Sequence, residues 1–258
     1  MNRMGRLWIV GVLALAGVSA CKQEPPDPAR EHRNKGNKAF NDKEWKKAIE
    51  EYELSLQVDP KQAAIWEQKA FAHLQLAEAD KVEEAVVKTS DLVTDTKKKN
   101  ELYRNLASMF VQQKAEKSIE KAEQYFLKAV EANPNDDLSL AWLAEIYAQR
   151  GGARTKNPGI PDLLEKAFGY YDKAIALNPT YAFTYVNKRI AVNKYMEYQK
   201  TQKDATELLA KAEKNAAKRA ELKAKADEIQ ARLDSLKKEY DDLTQKYNEA
   251  RKNQPAKK

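Results

Sequence analysis

The chain has 258 residues, 33% charged and 42% apolar, with 46 Lys and Arg against 39 Asp and Glu for a formal net charge of +7. That is too apolar for a wholly disordered chain, and eight Gly and nine Pro are few for a sandwich or barrel with many turns. A single Cys excludes an internal disulfide framework, two His argue against a histidine-based metal site, and the interspersed charge reads as solubility rather than a nucleic-acid footprint.

The chain opens with Arg3 and Arg6, followed by fourteen uncharged residues from Leu7 to Ala20. A spanning helix needs roughly 20 apolar residues, so this run is a secretory signal rather than a membrane helix. It ends in Val18-Ser19-Ala20-Cys21, which resembles the lipobox of bacterial lipoproteins. The resemblance implies cleavage after residue 20 and lipidation of Cys21, the one Cys in the chain. Lys22 after the Cys, by analogy with enteric bacteria, points to the outer membrane. Residues 21–28 hold Pro25, Pro26 and Pro28 and are expected to form an extended tether.

The body repeats. Ala48, Tyr52, Ser55 lead to Pro60; Ala122, Phe126, Ala129 to Pro134; Ala167, Tyr171, Ala174 to Pro179. The offsets are four, three and five each time. Upstream of each lies a second small-and-aromatic helix, Gly36 with Phe40, Ala107 with Phe110, and Ala144 with Tyr147. Ala70 with His73 supplies the same pair where no closing Pro follows. Small residues let paired helices approach, and aromatics fill the gaps between pairs.

This pattern resembles the tetratricopeptide repeat, a helix–turn–helix unit of about 34 residues. Repeats are expected at 29–62, 63–99, 100–136, 137–181 and 182–217, the fourth with an eleven-residue insertion around Gly151-Gly152 and Asn157-Pro158-Gly159. In the fifth, a capping-box signal at Thr201–Asp204 starts a second helix that packs through Ala205, Leu209 and Ala212. The resemblance implies an all-α, right-handed superhelix of about five helix hairpins, with a long C-terminal helix after it. It also implies that first helices line a concave partner groove. Carried over by spacing, that groove holds Arg33, Asn37, Phe40, Phe71, Leu74 and Arg104, and in the fourth repeat Leu138, Ala141, Glu145, Ala148 and Gln149. Phe40 and Phe71 are equally open to reading as core between repeats. Arg33 and Asn37 have the spacing of a carboxylate clamp found in some members. Gln68, Glu101 and Asn105 depart from it, so ordinary solvated positions are the preferred reading.

From 218 to 254 a charged helix carries the heptad seam Leu222, Ala226, Ile229, Leu233, Leu236, Tyr240, Leu243 and Tyr247, with residues 255–258 as a tail. Its flanks are mostly basic, and Arg232 would meet Lys237 in a parallel dimer, so strong homo-oligomers are not expected. The seam lies beyond the fifth hairpin, so deletion of 218–258 is expected to leave the repeats folded.

No phosphate loop, CxxC or HExxH motif is present. No catalytic residue, metal site or cofactor is expected, and no nucleic-acid partner. The expectation is a non-enzymatic protein-interaction scaffold, lipid-anchored on the periplasmic face of the outer membrane. It would serve an envelope machine of the secretin-pilotin, outer-membrane assembly or gliding-motility type. The alternatives are a periplasmic regulator recruiting a cell-wall enzyme and a structural spacer.

Overall fold

The computed structural model describes residues 27–113, 116–156 and 159–252. The expected signal peptide (1–20), Cys21 and the expected tail (255–258) lie outside the described residues. Among these there are ten helices and no strand. They fall into two compact units that divide after Ser118, in the first turn of α6.

The first unit holds α1 (Pro28–Asn41), α2 (Trp45–Val58), α3 (Ala63–Gln75), α4 (Ala79–Leu92) and α5 (Thr96–Gln113). Of the expected tether at 21–28, only Asp27 and Pro28 are described, and both belong to the start of α1. Asp27 caps α1, its carboxylate accepting from Ala29 N at 3.0 Å, and Pro28 is the first helical residue. Proline suits that position because its missing N–H would be unbonded there anyway.

Helices α1 and α2 pair closely because Gly36 faces the ring of Tyr52. A Cβ on Gly36 would lie 2.6 Å from two Tyr52 ring atoms. Tyr52 is fully buried, with Ala39, Ala48, Leu56 and Ile65 around it and Phe40 and Trp66 packed alongside. Small residue against aromatic is the arrangement that the repeated spacing implied.

The turn from α1 to α2 recurs from α3 to α4. Lys43 N bonds Phe40 O and Glu44 N bonds Ala39 O, while Ala77 N bonds Leu74 O and Glu78 N bonds His73 O. This is the Schellman pattern, which needs a left-handed residue at its apex. Lys43 (φ 61°) and Ala77 (φ 58°) supply it, although neither is glycine.

The second unit holds most of α6 (Glu116–Ala132), then α7 (Asp137–Arg150), α8 (Pro161–Leu177), α9 (Ala182–Ala212) and α10 (Ala216–Lys252). Asp136 caps α7, accepting from both the backbone N (3.4 Å) and the hydroxyl (2.6 Å) of Ser139. After α7 the same Schellman turn appears with Gly152 at φ 81°, and the chain then makes the expected insertion before Pro161 restarts the helix.

The expected fifth hairpin is corrected. There is no break at Thr201–Asp204: α9 runs unbroken for 31 residues. Thr201 is not a cap; its hydroxyl donates back to Glu197 O at 3.0 Å, as Thr206 does to Gln202 O at 2.8 Å. Ala205, Leu209 and Ala212 are exposed, Leu209 at 61%, and the neighbouring Thr206 and Ala210 are buried instead.

The partner of α9 is the 37-residue α10, which packs along it as the second arm of a long hairpin. Leu236 and Leu243 of the seam are buried, together with Ala226 and the further heptad position Ala250. Leu236, Leu243 and Ala250 share one core with Leu164, Tyr171, Ala191, Val192 and Tyr195 of α8 and α9. Tyr240 and Tyr247 are packed against that core, and Leu222, Ile229 and Leu233 are half-buried. The seam is therefore packed within the chain, and deletion of 218–258 would remove Leu236, Leu243 and Ala250 from that core.

Polar groups fix the register. The buried Lys188 ammonium sits 2.6 Å from both Asp172 of α8 and Glu239 of α10. The Arg189 guanidinium lies over the rings of Tyr240 (5.6 Å) and Tyr247 (5.5 Å).

Candidate functional site

In the first unit the residues expected to line a groove stand on α1, α3 and α5. Phe40 and Phe71 come together with ring centroids 5.4 Å apart. Trp45 joins them edge-on, 5.3 Å from Phe40 and 5.9 Å from Phe71. Phe40 also leans on the buried Tyr52 at 6.4 Å. All three rings of the cluster are half-buried, so one edge packs on the core and the other meets solvent. Leu74, on the same helix as Phe71, is half-buried as well.

Trp45 was not legible as part of this face, because it opens the second helix of its repeat rather than lining the first. Its place beside Phe40 follows from the tight turn through Lys43, which sequence spacing alone does not specify.

The polar residues of the face bond within the chain. Arg33 Nη1 donates to Gln62 Oε1 at 2.9 Å. Asn37 Oδ1 accepts from the Tyr52 hydroxyl at 3.0 Å, and burial raises the pKa of that phenol. Glu67 is paired with Lys98 at 2.6 Å. Arg104 and Glu101 are half-buried on α5. Within the chain Arg33 thus uses one of its five N–H donors and Asn37 its side-chain oxygen.

In the second unit the corresponding positions of α7 are closed. Ala141, Glu145 and Ala148 are buried, at 3%, 5% and 3% exposure, and Leu138 and Gln149 are exposed. Glu145 is the hub: it accepts from the Tyr171 hydroxyl (2.9 Å), Gln149 Nε2 (2.8 Å) and Arg154 Nε (3.1 Å). Burial, then the Glu145 charge, raises the pKa of Tyr171. Arg154 belongs to the insertion, and its Nη2 goes on to Asn187 Oδ1 of α9 at 2.7 Å. The next residue, Thr155, offers its carbonyl to the Lys194 ammonium at 3.0 Å.

The insertion is therefore tied over the inner side of α7 and α9. Sequence gave its length and its glycines, but not that Arg154 would reach 33 residues along the chain.

The heptad residues, the other expected site, are occupied by α9 as described above. Among the described residues no group of three His, Cys, Asp or Glu side chains is placed to hold a metal ion. Nor is any helix among them long and apolar enough to cross a membrane.

No protein-family model and no curated protein sequence matches the chain. Solved structures do. A TPR repeats protein from Bacteroides fragilis aligns over 86% of this chain and 97% of its own, at 16% identity and a TM-score of 0.57. The MamA protein aligns over 90% of this chain and 98% of its own, at 16% identity and a TM-score of 0.52. The fold is that of tetratricopeptide-repeat proteins. At this identity the likeness concerns the path of the helices, and the side chains of the α1–α3 face are this chain's own.

Proposed function

We propose that the protein is a non-enzymatic interaction scaffold that receives a segment of a protein partner on the α1–α3–α5 face of its first unit. The observation that carries this reading is the half-buried Phe40–Trp45–Phe71 cluster with Leu74 beside it. Three aromatic rings that touch one another and still meet solvent form a preformed apolar anchor site. The basic side chains Arg33 and Arg104 on the same helices favour a partner with apolar anchors and some acidic groups.

The second part of the proposal is location. The Val18-Ser19-Ala20-Cys21 sequence supports lipidation of Cys21 and attachment to the outer membrane, facing the periplasm. Two or more acyl chains anchor stably, at about 0.8 kcal/mol per buried CH₂. Within that setting the scaffold would hold its partner for assembly of an envelope machine.

The test has two arms. Phe71→Ala combined with Trp45→Ala should weaken capture of crosslinked envelope partners while the circular dichroism of the purified protein is kept. Unchanged capture by a folded variant would remove the face from consideration. Membrane fractionation of Cys21→Ser against wild type addresses the anchor, and equal soluble fractions for both would reject it.

A further inference from the structure

We propose that the cleft between the fourth-repeat insertion, α9 and α10 is a second binding site, which takes a single carboxylate on Arg189. The cleft has a volume of about 180 Å³ and is walled by Ala153 and Thr155 of the insertion, Arg189, Lys194 and Glu197 of α9, and Tyr240 of α10. All of these residues lie in the second unit, so the cleft does not depend on how the units meet. It is distinct from the α1–α3 face and from the Arg33 and Asn37 positions.

Charge defines the ligand. Among the described residues Arg189 forms no ion pair, although the adjacent Lys188 has two, with Asp172 and Glu239. The Arg189 guanidinium has five N–H donors. Its polar contact within the chain is a long one, Nη1 to the Thr244 hydroxyl at 3.4 Å. Its central carbon lies 5.6 Å from the Tyr240 ring centroid and 5.5 Å from that of Tyr247, contacts that use none of its N–H donors.

The second cation of the cleft, Lys194, is already spent. Its ammonium is bonded to Thr155 O and Glu197, each at 3.0 Å. Glu197 also accepts from Asn193 at 3.3 Å. The walls therefore carry two positive groups and one negative group, which leaves one positive charge for a ligand to neutralise. A dianion such as phosphate would face Glu197 across the same small space. A carboxylate matches both the charge and the planar donors of the guanidinium.

Size sets the rest. One water needs roughly 10–15 Å³ of cleft space, so the cleft admits a small polar group. Pockets for drug-sized ligands start near 300 Å³. The ligand is thus a single carboxylate-bearing group, either a chain end or an acidic side chain.

The two sources separate in a titration followed by amide NMR on the full chain. The probes are N-acetylleucine, its amide, a doubly capped Gly-Glu-Gly peptide and inorganic phosphate. N-acetylleucine binding with the capped peptide silent identifies a chain end; binding of the capped peptide identifies an acidic side chain. Either should shift amides in 153–155 and 189–197. Loss of the guanidinium in Arg189→Gln should weaken binding about tenfold or more, as expected when a charge-assisted hydrogen bond is removed.

Arg189→Lys keeps the charge, loses the planar fork and should resemble Arg189→Gln. Should Arg189→Gln disturb the α9–α10 packing, Thr155→Trp fills the cleft from an exposed wall position while Arg189 stays in the chain, and should abolish the shifts. The proposal is overturned by no shift with either carboxylate at millimolar concentration. Equal binding of the neutral amide, stronger binding of phosphate, or full binding to a folded Thr155→Trp variant would also overturn it.

Discussion

The two units are built from the same repeat spacing and expose different things. In the first, the Phe40–Trp45–Phe71 cluster on and beside the first helices remains half open. In the second, the equivalent inner positions of α7 are covered, and Glu145 is consumed by Tyr171, Gln149 and Arg154 of the chain itself. Arg154 of the insertion covers Glu145 and reaches Asn187 of α9, while Ala141 is packed against Val130 of α6 and Ala174 of α8. A repeat fixes how neighbouring helices pack; whether its inner face is available to a partner depends on what the rest of the chain lays over it.

If the α9–α10 hairpin belongs to the core, cutting it produces the largest effect. Truncation after residue 217 should abolish cooperative unfolding of the second unit, because Leu236, Leu243 and Ala250 leave a shared core. Hydrogen exchange should then show lost protection in α8 and α9, with α1–α4 protected as before. Protection retained in α8 and α9 would return the hairpin to the status of an appendage.

The same comparison sharpens with single residues. Leu236→Ala removes a fully buried side chain and should cost about 2–4 kcal/mol, measured by denaturant unfolding of the second unit. Gly36→Ala should cost about 1–3 kcal/mol in the first unit, since its Cβ would press on the fully buried Tyr52 ring. Gly169→Ala is the control. It lies in α8, where a Cβ meets nothing within 4 Å, and the change should stabilise the second unit by about 0.5–1 kcal/mol.

The smallest effect belongs to the turns. Gly152 already serves the left-handed position after α7, whereas Lys43 and Ala77 hold it in the first unit. Ala77→Gly should therefore raise the stability of the first unit by up to about 1 kcal/mol, through relief of the left-handed strain. A thermal midpoint that does not rise would mean that the added unfolded-state entropy of glycine cancels the gain.

By itself the sequence determined the all-α class, the hairpin phase and the small-against-aromatic contacts such as Gly36 with Tyr52. These are local in register: a helix of 3.6 residues per turn places residues three and four apart on one face whatever surrounds it. It also marked the heptad seam. The partner of that seam was not legible, because a stripe of Leu and Tyr is complementary to any apolar stripe, and the basic flanks argued only against a copy of itself. The capping signal at Thr201 misled for a related reason. A Thr near an acidic residue reads as a helix start, yet its hydroxyl bonds equally well to the preceding turn when the helix is held straight by packing along its length. What the tertiary structure alone decided were the contacts at long separation: α10 on α9, Arg154 on Asn187, Trp45 beside Phe71. Each depends on where two helices cross in space. That is set by the summed burial of many side chains rather than by any short run of sequence.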